Sequence, residues 1–234
     1  MPEQILKVSN LNAFYGQFQA LFDISLSVAA GEVLAIIGAN GAGKSTLLRA
    51  IAGLMQIPSN AVLFRGRPVG GLTADDVVKR GITLVPEGRR LFPSLSVEEN
   101  LIIGGQLKRP GRWNLEAIYA LFPILHDRRR VPATSLSGGQ QQMCAIGRAL
   151  MSNPDFIMFD EISLGLAPVI IKDIYAALPN VMAGAAGSII VEQDITRALE
   201  VATRVICLQE GQISLEGKPD ELDRAAISAA YFGT

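Results

Sequence analysis

Histidine is nearly absent from this 234-residue chain; the one present is His126, in LFPILHDRRR. A multi-histidine metal centre is therefore excluded. With His126 read as a surface residue, no Ser-His-Asp triad remains either. Cysteine is almost as scarce. Cys144 and Cys207 are far apart and lack zinc-like spacing, so both read as small apolar core residues in a reducing compartment. Positive charge is not in excess: 21 basic against 22 acidic residues give a net charge of −1. That balance lacks the basic footprint of a nucleic-acid binder, so no nucleic-acid partner is expected. Mean hydropathy is +0.31, yet long apolar runs are missing too. The longest uncharged run, 174–191, is interrupted by Pro179, Asn180, Gly184, Gly187 and Ser188. It reads as a helix end, a loop and a strand, not a spanning helix. MPEQILKVSN has neither the apolar core nor the cleavage site of a signal peptide, so a soluble cytoplasmic chain is expected.

What is present is apolar material, 49% of residues, enough for one large α/β domain or two small ones. EVLAIIG (32–38), GITLVP (81–86), DFIMFD (155–160), GSIIVEQD (187–194) and RVICLQEG (204–211) read as strands. Most do not alternate, as expected for strands covered on both faces. Helical stretches separate them, which predicts a mostly parallel sheet with crossovers. Thr73 with Asp76, and Ser96 with Glu99, mark helix starts. Pro168 fits the first turn of a helix running to Leu178, just before Pro179. Residues 88–153 have few strand signals and read as a helical insertion.

GANGAGKST comprises Gly38, Ala39, Asn40, Gly41, Ala42, Gly43, Lys44, Ser45 and Thr46, between the strand EVLAII and the helical LLRAIAGL. It satisfies G-x-x-x-x-G-K-[ST] in the strand–loop–helix setting the chemistry requires. Glycines let backbone N–H groups converge on phosphate oxygens, and the helix N-terminus adds positive potential. Lys44 can reach β- and γ-phosphates, and the Ser45 hydroxyl can ligate Mg²⁺. FIMFDE then ends a later strand on Asp160 and Glu161. Ligands of such sheets bind beyond the carboxyl ends of the strands. Asp160 is expected to help hold hydrated Mg²⁺, and Glu161 to orient or deprotonate the water that attacks the γ-phosphate. The plain alternative has both acids pointing into water where the strand stops.

LSGGQQQ opens another helix, with Met143, Ile146 and Leu150 on one face. Ser137 and Gln140 fit an ordinary capping box. Gly138 and Gly139 do not, since glycines weaken a first helical turn unless something approaches the backbone closely. A second anion site is the reading preferred here.

GANGAGKST, LSGGQQQ and FIMFDE, in this order and spacing, resemble the ATP-binding subunit of an ABC transporter over essentially the whole chain. The resemblance implies a P-loop ABC ATPase fold: a mostly parallel core sheet, an antiparallel β subdomain and a helical subdomain. Within a single 1–234 domain, 1–87 and 154–234 would form the nucleotide-binding core. Residues 88–153 would form the helical signature subdomain that meets the membrane subunits. It implies ATP and Mg²⁺, and two such subunits, identical or homologous, facing each other head to tail. Ser137, Gly138, Gly139 and Gln140 would then contact ATP in trans. Tyr15, in AFYGQ, matches the aromatic residue that stacks on adenine. Glu87 stands where the family usually has a glutamine that senses Mg²⁺ and water, and Gln193 where it has a switch histidine. Gly165 replaces the usual aspartate of the interface loop.

VPEGRRLFPSLSVEENL, DEISLGLAP, VEQD and the ending AYFGT resemble the Liv-type ATPases of branched-chain amino-acid importers, with Ile162 a local departure. That resemblance implies transmembrane permease subunits, an external solute-binding protein acting through them, and a peripheral location on the cytoplasmic face of the inner membrane. Importers of urea and amides use closely similar subunits. Among rivals, a GTPase would carry [NT]-K-x-D, which is missing, and a kinase would not need LSGGQQQ. A nonenzymatic regulatory ATP-binding module would be marked by a missing base, whereas Glu161 is present.

Overall fold

The computed structural model describes residues 3–232. A long hairpin comes first, β1 (Gln4–Tyr15) and β2 (Phe18–Ala29), followed by β3 (Val33–Ile37) and α1 (Lys44–Ile51). Short strands β4 (Val62–Phe64) and β5 (Arg67–Pro68) lead to α2 (Ala74–Lys79) and β6 (Ile82–Val85). Then come α3 (Val97–Gly104), α4 (Leu115–Leu121), α5 (Pro123–Asp127) and α6 (Gly138–Leu150). The chain returns through β7 (Phe156–Asp160), α7 (Pro168–Met182), β8 (Gly187–Val191) and α8 (Ile195–Val201), then β9 (Arg204–Gln209), β10 (Gln212–Gly217) and α9 (Arg224–Phe232).

Two sheets result. The six-stranded one has the order β10-β9-β3-β8-β7-β6, parallel except where β10 pairs antiparallel with β9. The other is four-stranded and antiparallel, in the order β2-β1-β4-β5. All residues of β7 and β8 are buried, which is why these strands read as unbroken apolar runs. Edge strand β10 alternates exposed and half-buried residues instead.

Successive strand residues feed opposite layers. Phe156, Met158, Ile189 and Val191 pack with α1 residues Leu47, Leu48 and Ile51 and with the hairpin residues Leu6, Leu11, Leu21 and Ile24. Ile157, Phe159 and Ile190 pack instead under α6 and α7, against Met143, Ile146, Leu150, Ile174 and Leu178. The sheet is thus clamped between two apolar layers, and its carboxyl edge, where β3 and β7 end, carries the polar residues.

Ser96 and Glu99 form the expected reciprocal cap on α3, and Thr73 accepts from Asp76 N–H at the start of α2. The expected stop at Leu178 is not observed. α7 runs through Pro179 to Met182, and Ala183 N–H closes the last turn on the Pro179 carbonyl at 2.9 Å. Leu178 and Val181 are both buried, so packing this turn outweighs the backbone bond that Pro179 cannot donate.

Candidate nucleotide site

Where β3 ends, the chain passes too close to β9 for a side chain. A Cβ on Gly38 would lie 2.2 Å from the Leu208 carbonyl oxygen. Gly43 precedes α1 with φ +101°, a conformation other residues rarely adopt. α1 has no side-chain cap and no acid in its first turn, so the N-terminal N–H groups that a helix leaves unpaired face the loop. Lys44, only 4% exposed, donates to the Gly38 and Ala39 carbonyls at 2.8 and 3.1 Å. Its ammonium also lies 3.3 Å from Glu161 Oε1. The Ser45 hydroxyl donates to Asp160 Oδ1 at 2.9 Å.

Asp160 and Glu161 are buried, which rules out the reading that they simply meet water at the strand's end. Burial pushes the Asp160 carboxyl up to about 6; the Glu161 and Glu87 carboxylates add to this, while Ser45 and Lys44 oppose it. Glu161 has φ +49°, and its N–H is fixed on the Val191 carbonyl at 3.0 Å. Gln193 Nε2 donates to Glu161 Oε2 at 2.5 Å. A cation, two carboxylates, a hydroxyl and an amide are therefore drawn from α1, the end of β7 and the turn that follows it, and the turn after β8.

A cavity of about 510 Å³ opens in front of them. Of the residues expected there, Tyr15, Asn40, Gly41, Gly43, Lys44, Ser45, Thr46, Glu87, Glu161 and Gln193 line it. Gly38, Ala39 and Ala42 shape the loop without lining the cavity, and Asp160 sits behind Ser45. Tyr15 is 44% exposed; its hydroxyl is 3.4 Å from Thr46 Oγ1 and the Arg49 guanidinium is 5.9 Å from its ring centre. Phe18, Ala20 and Leu164 also line the cavity and were not anticipated. Phe18 is 70% exposed on the same hairpin as Tyr15, a signal that was available in FYGQF.

Glu192, within VEQD, is a site residue that the sequence expectations omit. It is fully buried, accepting from the Ser163 hydroxyl at 2.8 Å and the Tyr175 hydroxyl at 2.6 Å. Burial pushes this carboxyl up, and the two hydroxyl bonds pull against that shift. Glu192 thereby ties the turn that follows Glu161 to the segment bearing Gln193. In the same turn Ile162 is buried in the α6–α7 layer, while Gly165 has φ +68° and open space around it.

Ser137, Gly138, Gly139 and Gln140 do not line the cavity of their own chain. Ser137 and Gln140 form a reciprocal capping box at the start of α6. Each glycine has a close neighbour within the chain. A Cβ on Gly139 would meet Ile170 Cγ2 at 2.2 Å, and one on Gly138 would lie 3.0 Å from the Arg89 guanidinium. Packing thus requires Gly139, whereas at Gly138 only the flexible end of Arg89 would have to give way. Arg89 belongs to a run of three left-handed residues, Gly88 (φ +73°), Arg89 (φ +64°) and Arg90 (φ +47°). Such a conformation costs roughly 1–2 kcal/mol at each non-glycine position.

Residues 21–163 match the family model described as ABC transporter. The chain belongs to the ABC transporter family. It is 42% identical to the high-affinity branched-chain amino acid transport ATP-binding protein BraG of Pseudomonas aeruginosa, over 98% of this chain and 100% of that protein. Its fold matches the ADP conformation of the cassette MJ1267 with a TM-score of 0.78 and 28% identity, covering 99% of both chains. It also matches a dimeric post-hydrolysis cassette, MJ0796 bound to ADP and Pi, with a TM-score of 0.81 and 27% identity, covering 92% of this chain and 99% of that one. This ABC-family chain is accordingly a nucleotide-binding enzyme with the family's activity, ATP hydrolysis.

Proposed function

We propose that the chain is the ATP-hydrolysing subunit of an importer for branched-chain, hydrophobic amino acids. The convergence of Lys44, Ser45, Asp160, Glu161 and Gln193 at one cavity carries the mechanistic part of this reading. The likeness to BraG, whose name includes branched-chain amino acid transport, supports the solute class.

In this reading Tyr15 stacks on adenine, and the loop 38–46 with Lys44 takes the phosphates. Ser45 and Asp160, with Glu87 at the rim, offer oxygen donors suited to Mg²⁺, which keeps several waters and needs few protein ligands. Burial raises Asp160 and the Glu161 and Glu87 carboxylates add to it; a divalent cation would offset both, so the donor set fits one. When bound, Mg²⁺ neutralises charge developing on the phosphates. Glu161 accepts a proton from the attacking water, Gln193 holds the Glu161 carboxylate in place, and Glu87 positions the water. Ser137, Gly138, Gly139 and Gln140 contact the nucleotide of a second subunit.

No helix among the described residues is long and apolar enough to cross a membrane, so the solute pathway is assigned to separate permease subunits. A groove of about 440 Å³ lies between α2, α3 and α6, with Val78, Leu84, Phe92, Ile103 and Leu107 along it. It is our candidate for the permease contact, consistent with 88–153 acting as the helical unit that meets the membrane subunits. The chain would then sit on the cytoplasmic face of the inner membrane, with an external solute-binding protein acting through the permease. The test is reconstitution with the permease in liposomes. ATP-dependent leucine uptake that vanishes with Glu161→Gln supports the reading. ATP turnover without uptake of any branched-chain amino acid overturns the solute class.

A further inference from the structure

Directly after Glu87 the backbone takes its three left-handed residues in succession, and one side chain of α6 holds them. Arg148 donates from Nη1 to the Arg90 carbonyl at 2.7 Å and from Nη2 to the Arg89 carbonyl at 3.1 Å. Its guanidinium also packs over the Phe92 ring, 5.4 Å from the centre. The planar fork of the guanidinium serves both adjacent carbonyls while its face covers the Phe92 ring. The same segment sends Arg89 towards the other end of the helix. There Nη1 donates to Gln141 Oε1 at 3.3 Å, and Nη2 occupies the space beside Gly138. The contacts at 138 and 148 are ten residues apart, about 15 Å along a helix. The segment 88–90 is therefore braced against α6 at both ends.

We propose that Arg148 and Arg89 are positioning residues for hydrolysis, and that this brace makes Glu87 and the start of α6 one mechanical unit. The inference rests on the reading above, in which Glu87 faces the chain's own nucleotide and residues 137–140 face the partner's. A relaxed loop would absorb a displacement of Glu87. A left-handed segment clamped at two successive carbonyls has one arrangement, so displacing Glu87 moves the surface offered to the opposite site. The two ATP sites of a dimer are coupled through each chain in this way.

The test uses the purified full chain, following turnover, calorimetric ATP binding, and ATP-driven dimerisation by light scattering in a Glu161→Gln background. Arg148→Ala is expected to lower kcat about tenfold or more, as misplacement of a catalytic group does, and to weaken dimerisation, with ATP affinity unchanged. Arg148→Lys, whose ammonium can still donate to the carbonyls but lacks the planar group over Phe92, should lose less kcat than Arg148→Ala. Adding Arg90→Gly to Arg148→Ala should restore most of the lost kcat, because glycine holds a left-handed conformation without a clamp. A residue that only packs the helical layer would show no such rescue.

Should Arg148→Ala lose its near-ultraviolet circular dichroism, Arg89→Met decides the matter, with weakened dimerisation at unchanged ATP affinity expected. Wild-type kcat and dimerisation in folded Arg148→Ala, or failure of Arg90→Gly to rescue, overturns the brace. Ser137→Arg separates this from the reading beneath it. If Ser137→Arg dimerises normally, the trans role of α6 fails and the proposal with it. If Ser137→Arg is blocked while the Arg148 variants match wild type, the brace alone fails.

Discussion

Lys44 Nζ lies 3.3 Å from Glu161 Oε1, and both side chains are buried. The cation proposed to take phosphate and the carboxylate proposed to activate water are therefore each other's counter-ion. Losing either one strands a buried charge, so affinity and stability are linked at this pair.

Lys44→Ala should weaken Mg-ATP binding at least about tenfold by calorimetry, because a charged donor to phosphate is lost. It should also lower the stability measured in urea by about 1–3 kcal/mol, from the unpaired Glu161 carboxylate. Adding Glu161→Gln should recover the stability but not the affinity. If the double variant is no more stable than Lys44→Ala, the two residues are not coupled as described.

Glu161→Gln alone should retain ATP and accumulate the ATP-bound dimer, while turnover falls by roughly 10²-fold or more. Unaltered single-turnover hydrolysis would remove Glu161 from the role of base.

Asp160 gives a pH signature. Its folded-state value, about 6, lies above the usual carboxylate value of 3.8, so between these the folded chain holds more proton than the unfolded chain. The contribution of Asp160 to stability then falls as pH rises from about 4 to 6. In chelator-treated protein at pH 7.5, Asp160→Asn should be more stable than wild type by roughly 1–3 kcal/mol, and the difference should close near pH 4. The Ser45 hydroxyl can still donate to the new amide oxygen. Urea titrations showing a pH-independent difference would argue against this account.

The two glycines of LSGGQQQ should part company. Gly139→Ala places a methyl group against the Ile170 side chain at 2.2 Å, an overpacking expected to cost about 1–3 kcal/mol. Gly138→Ala meets only the flexible end of Arg89, so it should leave the melting temperature nearly unchanged while impairing ATP-driven dimerisation. Equal thermal shifts for the two variants would contradict the packing.

Glu192 should matter without touching nucleotide. Ser163→Ala and Tyr175→Phe each remove one of its two hydroxyl donors, and both should lower kcat with little change in the KM for ATP. A rise in KM at constant kcat would place these residues in nucleotide binding instead.

The strands of the parallel sheet and the phosphate loop were legible because their constraints are local. Doubly buried strands such as FIMFD leave unbroken apolar runs, and a glycine-rich turn before a helix has few other uses. Glu192 was not legible, because its partners Ser163 and Tyr175 come from other elements and share no spacing rule with it. The Ile170 side chain that approaches Gly139 within the chain was not legible for a related reason: it is distant in sequence. The passage of α7 through Pro179 depended on the burial of Leu178 and Val181, which a local rule for proline does not weigh.

Cys144 is an α6 residue buried in the α6–α7 layer, and Cys207 is a β9 residue buried with Ala198 of α8 and Ile227 of α9 on the same face of the sheet; neither is exposed. Burial pushes the Cys144 thiol up to about 12 and raises Cys207 as well. Since only a thiolate within reach of solvent reacts, alkylation of either one waits for its own neighbourhood to open. The chain thus carries two clocks of its own. Comparing their labelling rates, with and without ATP, would reveal whether the helical layer breathes independently of the sheet.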